Sequence, residues 1–505
     1  MMKTNQMFEL SFENIPAGGE IIGKFLWNGK EMSIPGFYAG NGVYKLRFLP
    51  KEAGEYHWEI SGAVQAEGTE ICEESGLPGM VRADGKAFRY ENGRLFHPFG
   101  TTVYALISQT DELIEQTMRT LEQSPFNKLR MCVFPKDYDF NKNEPAYYAF
   151  ERSEDGTWDP SRPVYAFWDA LDRHVQRLGQ MGMQIDLILF HPYDRWGFDG
   201  MGIEKDKQYL DYLLRRLSAY PHIWWSLANE YELTKRTMQE WYEIEAFVSA
   251  NDPYGHLLSC HNIFHIWDAN RPLTTHASIQ SKDMSKLKDW CDRYDTPVML
   301  DECAYEGNLQ YHWGCITGEE MSRRFWEAVC SGAYCTHGET FYSEDEILWW
   351  ARGGVLKGKS PQRIAFCREI IESLPGHLEG EASSLNRLLP LMQMGETERE
   401  EQIAAQKGVM QRFVRAFIDS GEDAQSFGYS QPTYYGHIGT DCYLRFYDTR
   451  PIAKDILELP SDRTYTIRLI DTWNMTQQTL AQGVSGTYTV ALPGRENMAV
   501  LALAE

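Results

Sequence analysis

Residues Ile223-Trp224-Trp225-Ser226-Leu227-Ala228-Asn229-Glu230 form a short apolar run that stops on an amide and an acid. Residues Pro297-Val298-Met299-Leu300-Asp301-Glu302 form another, which stops on two acids. Unbroken apolar runs of this length fit strands buried on both faces, as in a parallel sheet. Working outward, comparable runs occur at Leu95 to Tyr104, Lys128 to Phe134, Gln184 to Phe190, Leu257 to Ser259, Leu273 to Ala277 and Ala333 to Thr336. With the two quoted runs they make eight.

Stretches with helical period separate most of these runs: Asp111 to Gln123, Tyr165 to Met181, Tyr209 to Ala219, Met238 to Ser249 and Met321 to Cys330, with a closing helix from Gln362 to Leu374. In the second, Phe167, Leu171, Val175 and Leu178 fall on one face. Strand and helix alternating in this number predict an α/β fold, a (β/α)8 TIM barrel. Only Asn262 to Pro272 separates strands five and six, too little for a full helix with its loops. An open doubly wound sheet is the competing fold, but no Gly-rich phosphate loop follows the first strand.

The barrel pattern has β-type sequence on both sides. Phe8 to Phe12, Glu20 to Trp27, Gly42 to Phe48 and Gly54 to Ile60 alternate with turn signals such as Pro35-Gly36, the pattern of an antiparallel sandwich. After a charged stretch, Glu396 to Gln402, the chain from about Val409 returns to strand-like runs such as Cys442 to Tyr447, Tyr465 to Ile470 and Thr487 to Leu492. At 505 residues the chain is too long for one core. The predicted organisation is an N-terminal β-sandwich over 1–84, a catalytic barrel over 85–400 and a C-terminal all-β, sandwich-like domain over 401–505.

Composition narrows the partners. The hydrophobic fraction of 43%, aromatic fraction of 13% and charged fraction of 24% are those of a folded soluble protein. Lys and Arg total 49 against 72 Asp and Glu, a net charge of −23, and no basic run could neutralise a row of phosphates. Nucleic acid and membrane surfaces are therefore not expected partners, and the acidity reads as a solvated surface. Met1 to Leu10 lacks the apolar stretch of a signal peptide, so a cytoplasmic protein is expected. The ten cysteines include no C-x-x-C pair, which suggests neither a zinc site nor a disulfide scaffold; mostly buried free thiols are expected.

In such a barrel the chemistry lies just past the C-terminal strand ends. Glu230 follows strand four and Glu302 follows strand seven, so both carboxylates face one cleft. A retaining glycosidase needs two carboxyl groups about 5 to 5.5 Å apart: one attacks the anomeric carbon and the other protonates the leaving oxygen. Glu230, beside an aromatic-rich strand and a partner charge, suits the acid; Glu302 suits the nucleophile, kept ionised by Arg130 at the end of strand two. His191, His261, Asn262 and His276 lie after strands three, five, five and six and are candidate hydroxyl-binding groups. Alone, each acid reads as a solvent-facing or cap residue, and each histidine as structural. A metal-dependent barrel hydrolase is a distant alternative, because strand one offers only His97 before Pro98 in place of a His-x-His pair. Tyr138, Phe140, Tyr147, Tyr148, Phe150 and Trp158 crowd the loop from Pro135 to Arg162, which forms a wall of the sugar pocket or packs on the N-terminal sandwich.

Asn229-Glu230, Glu302 and Arg130 at these strand ends resemble the signature of the clan A retaining glycoside hydrolases. More narrowly, Phe96-His97-Pro98-Phe99-Gly100, the stretch Leu300-Asp301-Glu302-Cys303-Ala304-Tyr305-Glu306-Gly307 and the closing Leu492-Pro493-Gly494-Arg495-Glu496-Asn497-Met498-Ala499 resemble the apiosidase-like family. The resemblance covers essentially the whole chain and implies a barrel between an N-terminal β-sandwich and a C-terminal β-domain. It implies Glu230 as acid/base, Glu302 as nucleophile and Asn229 on the sugar 2-hydroxyl. Tyr305, and His337 and Glu339 after strand eight, join the expected substrate-binding residues. Many clan members end strand eight near a Trp that floors the sugar site; this chain has Thr336-His337-Gly338-Glu339-Thr340-Phe341, leaving Phe341, Trp349 or Trp350 to replace it.

The expected protein is thus a retaining glycoside hydrolase without cofactor or metal, acting on a carbohydrate, a small and already imported saccharide, with a β-type or equivalently oriented bond. Assembly into a homo-oligomer is compatible with the sequence. The rival from another class is a carbohydrate-binding or adhesive protein on an inactive barrel.

Overall fold

The computed structural model describes residues 2–381, 391, 394–422 and 433–505. The chain divides into two compact units, one of Met1–Lys282, Cys291–Phe325 and Ala333–Ser373, the other of Asp283–Trp290, Trp326–Gly332 and Leu374–Glu505.

The first unit opens with a β-sandwich. One sheet orders Met2–Lys3, Ala66–Glu73, Gly54–Gly62, Ile21–Trp27 and Lys30–Pro35; the other orders Phe8–Phe12, Tyr44–Phe48 and Phe37–Tyr38. Alternation decides which side chains face inward. Along Ile21–Trp27, Ile21, Gly23 and Phe25 are buried while Ile22, Lys24 and Leu26 are exposed. Phe25 stacks on Phe48 of the facing sheet, ring centroids 4.0 Å apart, in a core shared with Ile34, Leu46 and Ile60. Burying each such side chain contributes roughly 1.5–3 kcal/mol.

Eight parallel strands follow: β1 Phe99–Thr102, β2 Lys128–Cys132, β3 Gln184–Phe190, β4 Ile223–Ala228, β5 Leu258–Ser259, β6 Ala277–Gln280, β7 Val298–Glu302 and β8 Tyr334–His337. They pair in the order β5-β4-β3-β2-β1-β8-β7-β6, and a bridge from His261 to Ser278 joins the remaining edges. The fold is a TIM barrel with flanking β domains. Every residue of β2, β3 and β4 is buried, as strands covered on both faces require. Helices α1 Asp111–Glu122, α2 Tyr165–Gln180, α3 Ile203–Leu217, α4 Met238–Asn251, α5 Leu287–Arg293 and α6 Gly318–Cys330 intervene, and α7 Trp349–Arg352 and α8 Ser360–Glu372 follow β8. Thr110 caps α1 by accepting the Leu113 amide, and Thr237 with Glu240 forms a capping box on α4. No helix lies between β5 and β6, in line with the short spacer there.

The sheet Val81–Asp84, Ala87–Tyr90, Leu95–Phe96 packs at the N-terminal strand ends, where Phe88 meets Trp224 at 4.9 Å and Tyr334 at 5.3 Å. The expected first strand, Leu95 to Tyr104, is therefore two elements, because Pro98 has no amide to donate to a ladder.

In the second unit a six-stranded antiparallel sheet orders Glu379–Gly380, Tyr434–Ile438, Cys442–Phe446, Met498–Ala504, Tyr465–Asp471 and Thr476–Val484, and Lys454–Glu458 pairs with Thr487–Ala491. The expectation of strands from about Val409 is corrected. Glu396–Ala405 and Val409–Ser420 are helices, and Ile403, Val414 and Phe417 bury a small apolar face at helical spacing. Nine of the ten cysteines are buried free thiols; Cys315 is the exposed one.

Candidate active site

Glu230 stands two residues past β4 with φ of 53°, a left-handed conformation that costs a non-glycine residue about 1–2 kcal/mol. Its side chain is 5% exposed. The Tyr193 hydroxyl donates to Oε2, and Gln280 Nε2 donates to Oε1 over 3.1 Å. Asn262 holds Gln280 in place, since its Oδ1 accepts the Gln280 amide at 3.1 Å and its own carbonyl accepts Nε2 at 3.0 Å.

Glu302 ends β7, where adjacent residues would normally point to opposite faces. A register shift removes that constraint: Ile279 opposes Leu300, but Gln280 opposes Glu302, which leaves Asp301 as an extra residue in β7. Such a bulge re-aims a side chain. Asp301 and Glu302 thereby both reach the barrel interior. Asp301 accepts Lys128 Nζ at 2.7 Å, Ser278 Oγ at 2.6 Å and Thr336 Oγ1 at 2.9 Å. Glu302 accepts the Tyr104 hydroxyl and lies 4.0 Å from Arg130 Nη1.

Beneath the glutamates runs a buried charge network. Lys128 Nζ bridges Asp186 at 2.8 Å and Asp301, and Arg130 Nε donates to Asp186 at 3.1 Å. Burial alone would raise Asp301, but Lys128 and Arg130 hold it well below the usual carboxylate range. The expected charge-assisted hydrogen bond from Arg130 to Glu302 is corrected: Arg130 bonds Asp186, and Glu302 sits at ion-pair distance. Both terminal nitrogens of Arg130 are buried and neither makes a hydrogen bond to protein.

Burial, and after it the negative charge of Glu302, push the Glu230 carboxyl up to about 7. Lys136, 2% exposed, is the opposing influence: its Nζ lies 3.7 Å from the Tyr104 ring centre and 4.3 Å from that of Tyr193, and its charge draws Glu230 toward the ionised form. Desolvation in that aromatic cage lowers the Lys136 ammonium.

Asn229 is fully buried and neither atom of its side-chain amide bonds to protein. The same holds for both ring nitrogens of His261, whose imidazole burial keeps neutral. His191 donates through Nε2 to the Phe134 carbonyl at 3.2 Å and is held neutral by burial, which lowers it to about 3. Since a carbonyl only accepts, Nε2 carries the hydrogen and Nδ1 is the free atom.

Two expectations fail on strand geometry. His276 precedes β6, and its ring meets Phe88 at 5.4 Å and Trp224 at 5.5 Å, so it belongs to the opposite end of the barrel. The cause is the limit of strand six, Ala277–Gln280 in place of Leu273 to Ala277. His337 also leaves the site, because Thr336 turns inward to Asp301 and its neighbour must face outward, where it stacks on Phe126 at 4.6 Å. Glu339 pairs in register with Glu306 in a separate short parallel sheet.

Aromatic walls surround the glutamates. Trp350 meets Tyr104, Tyr138, Phe140, Tyr305 and Trp313, centroids 5.1 to 5.9 Å away. Of the three candidates for the platform, Trp350 has this position; Trp349 is buried and donates to Thr101 Oγ1, and Phe341 is half-buried. The loop Pro135 to Arg162 divides. Tyr138 and Phe140 join this wall, whereas Trp158 stacks on Phe198 at 4.5 Å and Phe150 packs on Trp168, barrel elements and not the sandwich.

Sequence reading missed Tyr104, Tyr193, Gln280, Lys136 and the pair Lys128 and Asp186. Charges at Lys128 and Asp186 inside strand-like runs were the available signal, since a buried charge needs a partner.

A glycoside-hydrolase barrel is the class that fold and comparisons define. Residues 82–373 match the family model described as Apiosidase-like, catalytic domain, and the chain belongs to that family. Residues 7–63 and 432–502 match two domains of unknown function, DUF5060 and DUF5605. A crystal structure of a Bacteroides vulgatus protein described as a "putative glycoside hydrolase" is similar over 100% of this chain and 99% of its own, with 29% identity and a TM-score of 0.85. A glycoside hydrolase family 5 structure from the same organism is similar in fold over 85% of this chain and 93% of its own, with 14% identity and a TM-score of 0.62. No curated protein matches the chain.

Proposed function

We propose that this protein is a retaining glycoside hydrolase that cleaves an O-glycosidic bond by double displacement, with Glu302 as nucleophile and Glu230 as acid/base. The observation that carries the reading is the unequal pair itself. Glu230, raised to about 7 by burial and by Glu302, keeps its proton in about half of the molecules at neutral pH, and Glu302 receives a tyrosine hydroxyl and faces a guanidinium.

In the first step a Glu302 oxygen bonds the anomeric carbon as Glu230 passes its proton to the departing oxygen. In the second, the Glu230 carboxylate removes a proton from water, whose oxygen displaces Glu302 from the anomeric carbon. Tyr193 and Gln280 hold the acid/base, Tyr104 and Arg130 hold the nucleophile, and Asn229 and His261 offer unpaired donors and acceptors to sugar hydroxyls. Trp350 and Tyr138 supply apolar faces for the ring. An inactive binding barrel gives no reason for the raised Glu230 carboxyl.

The test is a screen of aryl glycosides and oligosaccharides, pyranose and furanose, with wild type, Glu302→Ala and Glu230→Gln. The proposal expects turnover by the wild type and loss of it in Glu302→Ala; full turnover by Glu302→Ala overturns it.

A further inference from the structure

Outside the catalytic cleft, the outward face of β8 carries a second set of buried titratable groups. Glu306, His337 and Glu339 are 2%, 0% and 1% exposed, and one donor atom from each lies within 4.8 Å of the others. Glu306 accepts the backbone amides of Lys359 at 2.7 Å and Ser360 at 3.1 Å, and Glu339 Oε2 accepts that of Lys357 at 2.7 Å. Among the described residues no Lys or Arg forms an ion pair with either carboxyl group, so a bound cation would be their only full positive partner.

Two atoms point into this cluster without a hydrogen bond, Glu339 Oε1 and His337 Nε2. They stand 3.5 Å apart. That separation is long for a direct N–H to carboxylate bond, which closes to about 2.7–2.9 Å. It fits two donors on one ion, since ligands about 2.0–2.2 Å from a tetrahedral zinc stand roughly 3.3–3.6 Å apart. The other ring nitrogen, Nδ1, lies 3.1 Å from Thr101 Oγ1, which the Trp349 indole also contacts at 2.8 Å; such a partner fixes the ring orientation of a liganding histidine. The backbone makes room as well. A Cβ at Gly358 would fall 2.4 Å from Glu306 Oε2 and 2.6 Å from Glu339 Oε1, so only glycine lets the chain close over both oxygens.

We propose that Glu306, His337 and Glu339 bind one divalent transition-metal ion of the zinc type. One imidazole and two carboxylates suit zinc better than calcium, which takes oxygen ligands alone. The ion neutralises the carboxylates and joins three segments: Glu306 after β7, His337 and Glu339 at β8, and the Lys357 to Ser360 turn that starts α8. The sequence signal was hidden because the three ligands are spread over two strand ends and no histidine pair marks them.

The experiment uses the full chain, stripped with a chelator and titrated with Zn2+, with occupancy read by elemental analysis and stability by the thermal midpoint. The wild type is expected to take up about one zinc per chain and to gain about 3 °C or more. Glu339→Gln, nearly isosteric, is expected to bind zinc at least tenfold more weakly and to lose the gain. Anomalous scattering from zinc-soaked crystals locates the ion between the three side chains. A wild type that takes up no zinc and shows no shift overturns the proposal, as does Glu339→Gln that binds zinc as tightly as the wild type.

Discussion

Gln280 of β6 lies opposite Glu302 of β7, one residue beyond the register that pairs Ile279 with Leu300. That single shift gives Asp301 to the buried network and Glu302 to the cleft. It also places the amide of Gln280 on Glu230, so one irregularity serves both carboxylates.

Removing the Asp301 charge leaves Lys128 buried with only Asp186 to answer it. Asp301→Ala is expected to destabilise the protein by about 3–5 kcal/mol. Denaturant unfolding measures this; a cost under about 1 kcal/mol would show that the network does not hold the barrel interior.

Tyr104→Phe removes one hydroxyl donor to Glu302 and little volume. A hydrogen bond to a charged group contributes about 1.5–3 kcal/mol, so kcat/KM should fall roughly 10- to 150-fold, with stability lowered by no more than that amount. Steady-state kinetics on whichever glycoside the wild type cleaves decides the point.

Glu230 makes a pH prediction of definite sign. Its folded value, about 7, lies above the ordinary glutamate value of 4.5. Below roughly pH 4.5 both folded and unfolded forms hold the proton and the contribution is fully present; it is lost as pH rises through about 7. Glu230→Gln should therefore be inactive as acid, yet more stable than wild type by up to about 3 kcal/mol above pH 7.5, with no gain at pH 4. Thermal melts across this range check it, and an equal effect at both pH values contradicts it.

In the same way the basic limb of wild-type kcat/KM should fall near pH 7, where Glu230 loses its proton in the free enzyme. Because Glu302 contributes to that value, Glu302→Gln should shift the Glu230 titration downward, as followed by carboxyl infrared bands. An upward shift contradicts the coupling.

Arg47 ties the sandwich to the barrel. It donates to both oxygens of Asp172 at 2.9 Å and to the Arg216 carbonyl at 2.7 Å while 4% exposed. Arg47→Ala strands Asp172 beside a single arginine and should cost about 3–5 kcal/mol, measured by unfolding, with the catalytic constants of the folded fraction unchanged.

Much of this was legible in the chain. The barrel strands announce themselves because burial on both faces demands unbroken apolar runs, and an acid that stops such a run marks a candidate site; Glu230 and Glu302 stand at two such ends. Strand six escaped because Ala277–Gln280 is short and half polar, and limits placed four residues early at its start and three at its end carried His276 to the wrong end. Tyr104, Tyr193 and Gln280 carry no signal of their own, since a tyrosine or an amide is defined by what it meets. Val409–Ser420 reads as strand by its apolar content, whereas the spacing of Val414 and Phe417 is helical.

The proposed glycosyl-enzyme at Glu302 is tested most directly by the stereochemistry of the first product. Proton NMR of the fresh hydrolysate of a cleaved glycoside, recorded before the sugar mutarotates, should show the anomer of the substrate. A product of opposite configuration would contradict double displacement and the role of Glu302 as nucleophile.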